Sequence, residues 1–409
     1  MHVPSAPVIA NPNDSHGLIG LAQLMTQVFQ GEDLTDTGSM LIDRAQQGDD
    51  NALLDLSTLL QLQGFKETGI ELQSQALKQQ QLFHLHPPVK KSEIKLLAIF
   101  AAGDLMTNTP LEFLAQGAGF SMQILYVGTD LAVPDTIAEY DIAIVAISEL
   151  DRNLASLHHA AKLIPKLKSV LLNPPANIIP LSRDAISYKL QNIAGLDIPV
   201  TDRTSREHLL SLSSEQALNS TVIGNTKFPI IIRPIDSHAG TNLAKVDNLQ
   251  ELHNYLAQCH STMFFIAPFI DYRSADGRYK KYRIMLIDGA PYIAHMAISE
   301  HWMIHYLNTD MLQNAQHRQA EAQAMANFEQ GFAKKHQAAF KTLTDSVGLD
   351  YFGIDCAESK DGNLLIFEAC AALNVHAMDC EKLFPYKKPA MQKIFDGFHQ
   401  MLVDKSNKA

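Results

Sequence analysis

Four short apolar runs constrain this chain most: Leu96–Ala101 (LLAIFA), Met122–Val127 (MQILYV), Ile142–Ile147 (IAIVAI) and Val170–Leu172 (VLL). None alternates with polar residues, so each reads as a strand buried on both faces, and segments of helical pattern (Leu111–Gln116, Asn153–Leu167) lie between them. Such an order implies a mostly parallel sheet covered by helices. Gly117-Ala118-Gly119 lacks the third glycine of a dinucleotide turn and precedes a strand instead of following one, which argues against that use.

Other textures flank this region. Residues 1 to about 20 are rich in Pro, Asn and Ser without periodicity and read as an irregular arm. Between Met40 and Leu85, Leu53, Leu56, Leu59 and Leu60, then Ile70, Leu72, Ala76 and Leu77, recur at helical spacing around Gly64, with Asp49 or Asp50 as a cap. These are two amphipathic helices with the flavour of a single tetratricopeptide unit, which without a second copy reads as a docking hairpin. Pro87-Pro88 and the charged stretch Lys90–Lys95 mark a linker. Beyond Asn173-Pro174-Pro175 the pattern becomes α+β. Helices are expected around Ser182–Ile193, at Leu249–Gln258 and within Asn314–Ser346, and strands at Pro229–Arg233, Phe264–Phe269, Arg283–Ile287, Tyr292–Ile298, Tyr351–Asp355 and Asn363–Glu368. Asp288-Gly289 is a hairpin turn between two of them.

Composition narrows the function classes. At 409 residues, 46% apolar and 19% charged, the chain is ordinary globular protein with length for two or three domains. Its net charge of −11 opposes the basic footprint of nucleic-acid or anionic-membrane binders, so neither is an expected partner. Four cysteines without a Cys-x-x-Cys pair signal neither a disulfide framework nor a zinc site, and no apolar run reaches membrane-spanning length. The expectation is a cytoplasmic protein, and the extra N-terminal helices admit a homodimer.

Three segments carry chemistry. In the first, strand residues up to Arg233 deliver a cation to the small-residue loop Ser237-His238-Ala239-Gly240-Thr241, the makings of a phosphate cradle, though an arginine at a strand end is also a common surface ion pair. The second places Asp355 and Glu368 on neighbouring apolar strands across the turn Asp361-Gly362. Two carboxylates there are costly unless cations neutralise them, and hard oxygen donors suit Mg²⁺ shared with phosphates; a surface pair with a basic residue is the bland alternative. In the third, Lys281 and Arg283 stand two residues apart on a basic strand, hence on one face, fit for a γ-phosphate or an acyl phosphate, or simply for a solvated sheet edge.

These three segments together resemble the ATP-grasp superfamily, in the branch of glutathione synthetase and the ribosomal-protein glutamate ligases, from about Lys95 to Asp379. The strings Asp271-Tyr-Arg-Ser, Lys281-Tyr-Arg283 and His295-Met-Ala-Ile-Ser-Glu-His301-Trp-Met-Ile-His305 resemble a subfamily with tetratricopeptide-type N-termini. The resemblance implies a helical region to residue 88, an α/β pre-grasp domain over 93–180, and a two-lobed grasp domain over 181–405, its central lobe about 181–270 and its C-terminal lobe about 271–405. It implies ATP and Mg²⁺. Arg233 takes the place of the usual phosphate-binding lysine, Ser237 to Thr241 (with His238 and Gly240) form the mobile loop, and Arg183 or Lys189 supplies another nucleotide-facing cation, Arg183 being favoured by the junction pattern Asn173-Pro-Pro to Leu-Ser-Arg-Asp184. Ile266, Ala267 and Phe269 match the strand whose backbone reads adenine. Arg283, with Lys281 beside it, matches the cation on the transferred phosphoryl, and Asp355 and Glu368 match the metal carboxylates. Cys370 stands where the family has a metal-binding Asn; a thiol is a poor Mg²⁺ ligand, so that role falls to Asn374 or lapses.

The histidines complete the reading. His301 and His305 have the i, i+4 spacing of a helical zinc pair, but Trp302 replaces the motif's Glu. With His295 and Ser299 they are assigned instead to the substrate pocket, the histidines lining it or acting as general base toward an incoming amine, against the plain alternative of packed or surface histidines. The implied activity is ligation of a small-molecule or peptide carboxylate to an amine through an acyl phosphate, releasing ADP and phosphate. A rival from another class is a nucleotide-binding module without ligase activity that serves as a partner platform.

Overall fold

The computed structural model describes residues 17–85, 94–115, 119–132, 134, 137, 139–215, 218, 227–237, 240–305 and 309–407. Most of the N-terminal arm, the linker at 87–93, Gly117, Ala118 and His238 lie outside the described residues. The chain divides into two compact units: Met1–Ile179 with Leu349–Phe352 and Ala371–Ala409, and Pro180–Gly348 with Gly353–Cys370. The first is α/β and the second α+β, the combination expected from the sequence.

The first unit begins with four helices, α1 (Leu21–Gln30), α2 (Thr35–Gln46), α3 (Asp50–Leu62) and α4 (Lys66–Gln79). Asp49 caps α3 by accepting from the Ala52 N–H, satisfying one of the amides a helix start leaves open. Two of these helices were not expected: α1 and α2 precede the anticipated hairpin. Leu34, Leu41, Ala52 and Leu59 bury together and join α2 to α3.

Its sheet follows the apolar runs. Strands β1 (Leu82–His84), β2 (Ile94–Ala101), β3 (Phe120–Val127), β4 (Ile142–Val145) and β5 (Leu171–Leu172) lie in the order β1-β3-β2-β4-β5. β2, β3, β4 and β5 are parallel, and β1 adds an antiparallel edge. Helices α5 (Glu112–Ala115), α6 (Leu154–Ala161) and α7 (Pro175–Ile178) complete the connections. Leu96, Leu97, Ala98 and Ile99 are wholly buried, as strands without a polar face require. Asn173, in left-handed conformation (φ 51°), ties the short segment 349–352 into this unit: its side-chain oxygen accepts from the Asp350 and Tyr351 amides at 2.9 and 3.0 Å, and its amide donates to the Tyr351 carbonyl at 2.6 Å.

The second unit holds two sheets. After helix α8 (Arg183–Lys189) come β6 (Leu196–Asp197), β7 (Asp202–Ser205), β8 (Ile230–Pro234), β9 (Ala244–Val246), β10 (Met263–Pro268), β11 (Tyr279–Ile287), β12 (Ala290–Ser299), β13 (Tyr351–Glu358) and β14 (Leu364–Cys370). One sheet, β7-β10-β8-β9, is antiparallel throughout. Its alternate residues Ile230, Ile232, Phe264 and Ile266 pack on the helix Leu249–Gln258 through Leu252 and Leu256, each contributing about 2 kcal/mol by burial. The other, β12-β11-β13-β14-β6, carries the charged side chains of interest. Asp288 and Gly289, both at positive φ (46° and 83°), make the tight turn between β11 and β12 that the sequence announced.

A candidate polyanion site built from four cations and two carboxylates

The site starts from register. β13 and β14 run antiparallel with Asp355 directly opposite Glu368, so two acids that follow from period-two alternation meet across one pair of strands. Like charges at that spacing repel, and cations from three other segments answer them. On β11, Lys281 and Arg283 share a face: Lys281 Nζ lies 2.9 Å from Asp355 Oδ2, while Arg283 donates through Nε to Oδ1 at 2.9 Å and through Nη2 to Oδ2 at 3.2 Å. Arg183, the first residue of α8, donates to Glu368 Oε2 at 2.6 Å and to the Phe367 carbonyl at 3.2 Å. The strand ladders shift register immediately after Arg283 and after Asp355, and bulges of this kind aim side chains at a site.

Arg233 joins from the antiparallel sheet. Its Nε donates to Ser237 Oγ at 3.1 Å and its Nη2 to the Ser237 carbonyl, while Ser237 Oγ donates to the Pro234 carbonyl at 2.8 Å. Burial and the nearby Arg183 guanidinium push Arg233 down to about 9, still charged at neutral pH, with Glu368 acting in the opposite sense. Burial opposes ionisation of Asp355, whose side chain is 7% exposed, yet Arg283 and Lys281 hold its carboxyl well below the usual range. For Glu368, burial and the Asp355 charge pull upward, but Arg183 and Arg233 win and the carboxyl is lowered. Counted within the second unit alone, four cations therefore act on two carboxylates, a formal excess of two positive charges among these six groups in a chain of net −11. That excess suits a ligand of several negative charges.

The remaining sequence-expected residues divide into those near this cluster and those apart from it. Lys189 is exposed at the far end of α8; six positions at 100° per residue turn it away from Arg183, so of the two alternatives Arg183 is the one in the cluster. Ser237 is held by Arg233, Gly240 has a left-handed φ of 74° and Thr241 is exposed. Within Ile266–Phe269 the backbone is largely committed. Antiparallel alternation points Ile266 toward β7 and Ala267 toward β8, Phe269 N–H donates to the Pro229 carbonyl at 2.9 Å, and Pro268 has no N–H.

His295 stands opposite Arg283 across β11 and β12, and its charge bears on Asp355. His305 is half-buried, and burial together with Lys281 and Arg283 lowers its pKa. The segment 301–305 is not helical, so the His301 and His305 spacing does not put them on one helix face; His301 is exposed and its amide donates to Ser299 Oγ at 3.0 Å. Cys370 is buried at the end of β14, and Asn374 belongs to the first unit, not to the unit that carries Asp355 and Glu368.

Two features escaped the sequence. Arg203 grips Asp184, next to Arg183 on α8, through Nε at 2.6 Å and Nη2 at 2.9 Å, and lies over the Phe265 ring. The segment after β12 is anchored by the Tyr272 hydroxyl donating to the Trp302 carbonyl at 2.5 Å and by Trp302 packing edge-on to Phe269, which sets Met303 beside Gly240. Asp184 and Arg203 sit nineteen positions apart in polar surroundings, with no spacing signal to pair them.

No protein-family model matches the chain, and no curated protein matches it. Among solved structures it is similar to the VanG D-Ala:D-Ser ligase of Enterococcus faecalis, at 12% identity and a TM-score of 0.46 over 78% of this chain and 100% of that one. It is also similar to a RimK domain ATP-grasp protein of Sphaerobacter thermophilus (14%, 0.41, 75% and 99%) and to a D-alanine–D-alanine ligase of Bacillus anthracis solved with ATP (11%, 0.44, 77% and 97%). Among the described residues no helix is long and apolar enough to cross a membrane.

Proposed function

We propose that the second unit binds the triphosphate of ATP together with magnesium, and that the protein is an ATP-dependent carboxylate–amine ligase. The observation that carries this reading is the convergence of Arg183, Arg233, Lys281 and Arg283, from three regions of the sequence, around Asp355 and Glu368.

The donor set fits magnesium. Asp355 and Glu368 offer hard carboxylate oxygens on adjacent strands and would hold the ion, whereas the Cys370 thiol is soft and buried and suits it poorly. Held by Asp355 and Glu368, magnesium would offset negative charge on the transferring phosphoryl. Arg283 and Lys281 hold the γ-phosphate oxygens, Arg183 and Arg233 the rest of the chain of phosphates. In the reaction a substrate carboxylate oxygen attacks the γ-phosphorus and ADP leaves with the bonding pair. The amine nitrogen then attacks the acyl carbon, and phosphate departs with the C–O electrons. His305, kept neutral by burial and by its two cationic neighbours, takes the proton the amine sheds.

ADP release measured against pools of amino acids and peptides tests this. Glu368→Gln and Arg283→Ala are each expected to lower stimulated release by about a hundredfold or more with the circular dichroism spectrum unchanged. Unchanged turnover in either contradicts the assigned roles. The soft Cys370 at the position of a usual metal-binding residue favours one second reading, a nucleotide-binding module without ligase activity; MgADP binding with no substrate-stimulated ADP release would select it.

A further inference from the structure

Arg183 reaches the cluster from α8, a helix of seven residues, and a helix so short takes its direction from what it is fastened to. Its later part is fixed by packing and by the chain beside it: Ile186 and Leu190 are buried, the Thr201 amide donates to Ser187 Oγ at 3.0 Å, and the Tyr188 hydroxyl donates to the Asp202 carboxylate. The first turn is fixed by charge. Arg183 and Asp184 are consecutive, so their side chains leave the helix about 100° apart and do not face the same partner. Arg183 goes to Glu368 on β14, while Asp184 goes to Arg203 on β7, which donates to it through Nε at 2.6 Å and Nη2 at 2.9 Å. Two ion pairs in different directions, to strands of two different sheets, oppose rotation of this turn about its axis.

Arg203 is fixed in its turn. It lies opposite Phe265 on β10, its guanidinium carbon 5.0 Å from the ring centre, and Phe265 lies opposite Arg233 on β8, so one face of this sheet carries Arg203, Phe265 and Arg233 in a row. Burial opposes ionisation of Asp184, but the Arg203 and Ser182 hydrogen bonds hold its carboxyl below the usual range, and the pair of Asp184 and Arg203 brings no net charge to the cluster. We infer that Arg203 is a positioning residue: by gripping Asp184 it sets Arg183 at a fixed offset from Arg233, the two cations assigned above to the phosphates beyond the γ position. The inference rests on the nucleotide reading for the identity of the anion. Lysine at this position keeps the charge but has no planar fork, so it does not reproduce the two-point grip.

The test is a double-mutant cycle on the full-length protein, read by calorimetric titration with a non-hydrolysable ATP analogue in excess magnesium, with circular dichroism to check that each variant folds. Arg203→Met and Arg203→Lys are each expected to weaken binding about tenfold, and Asp184→Asn, which removes the grip from the other side, to do the same. Added to Arg183→Met, Arg203→Met is expected to cost less than about twofold more, because the group it positions is gone. No loss in the single variants, or the same loss with Arg183 present and absent, overturns the inference. Hydrogen exchange without nucleotide gives a second reading at the Ile186 amide, which donates to the Ser182 carbonyl at 2.9 Å in the first turn of α8. Exchange there is expected to quicken about tenfold in Arg203→Met and in Asp184→Asn, and an unchanged rate in both overturns the inference. If the analogue binds wild type under no condition, the nucleotide reading fails by itself, and exchange at Ile186 still decides whether Arg203 holds this turn.

Discussion

Two pairs of acids withdrawn wholly or partly from water, one in each unit, have opposite outcomes. In the first unit Asp55 on α3 and Glu112 on α5 are 1% and 8% exposed and accept hydrogen bonds from backbone amides at the start of α1: Asp55 from Ile19 and Gly20 at 2.8 and 3.0 Å, Glu112 from Ala22 at 2.8 Å. Burial wins over those amides, pushing Asp55 up to about 6 and Glu112 up to about 7. In the second unit Asp355 is buried and Glu368 is 26% exposed, but full positive charges face them and both carboxyls are lowered. Amide dipoles stabilise a buried carboxylate less than guanidinium and ammonium groups do. The first pair clamps a helix terminus; in the second the facing cations favour the ionised form of both carboxyls.

The contrast breaks most visibly at Arg283. Arg283→Met leaves Asp355 with Lys281 as its ion-pair partner of the two, and is expected to destabilise the second unit by about 3 kcal/mol near neutral pH. The loss should shrink as the medium is acidified, because the carboxyl, no longer held down by Arg283, takes up a proton. Denaturant unfolding across the acidic range measures this, and a loss independent of pH counts against it.

Glu112→Gln probes the other pair. With its folded pKa raised to about 7, Glu112 binds a proton more readily in the folded than in the unfolded chain, so its contribution to stability falls as pH climbs from the ordinary glutamate value toward 7 and is lost above that. The glutamine variant, which keeps an acceptor for the Ala22 amide, should lack this slope, a difference of about 3 kcal/mol between the acid and alkaline ends. Carbon-13 NMR of labelled carboxyls sharpens the comparison without mutation: Glu112 should titrate near neutrality while Glu368 remains ionised at pH values where ordinary glutamates protonate. The smallest effect belongs to Asp49→Asn. Asparagine still caps α3, so the cost should stay under about 1 kcal/mol, but the negative charge that raises Asp55 is gone and the Asp55 pKa should fall.

Legibility in the sequence followed how local each cause was. The parallel strands were readable because burial on both faces leaves an uninterrupted apolar run, and Asp355 and Glu368 because alternation along two strands around Asp361-Gly362 is a short-range pattern. Helix α1 was not readable: its N-cap is Gly20 at φ 86°, with no side-chain cap of its own, and its amides are met by Asp55 and Glu112 from 35 and 90 residues away. Helix α2 buries only Leu41 and carries Thr35, Thr37, Gly38 and Ser39 in its first turns, weak helix formers that hide it. Strand β7 reads Asp-Arg-Thr-Ser and gives no apolar signal because it lies at a sheet edge. At the site, the face-sharing of Lys281 and Arg283 followed from period two, while Arg183 was favoured over Lys189 only through the resemblance at the junction, and the pairing of Arg183 with Glu368 185 residues away has no local signal.

The most direct test of the account is calorimetric titration of the full-length protein with a non-hydrolysable ATP analogue in excess magnesium. One site per chain is expected, weakened about tenfold or more by Arg233→Met and by Arg283→Met and left unchanged by Lys341→Met at an exposed ion pair. Absence of binding, or equal affinity in all four proteins, would contradict the claim that these cations form a polyanion site.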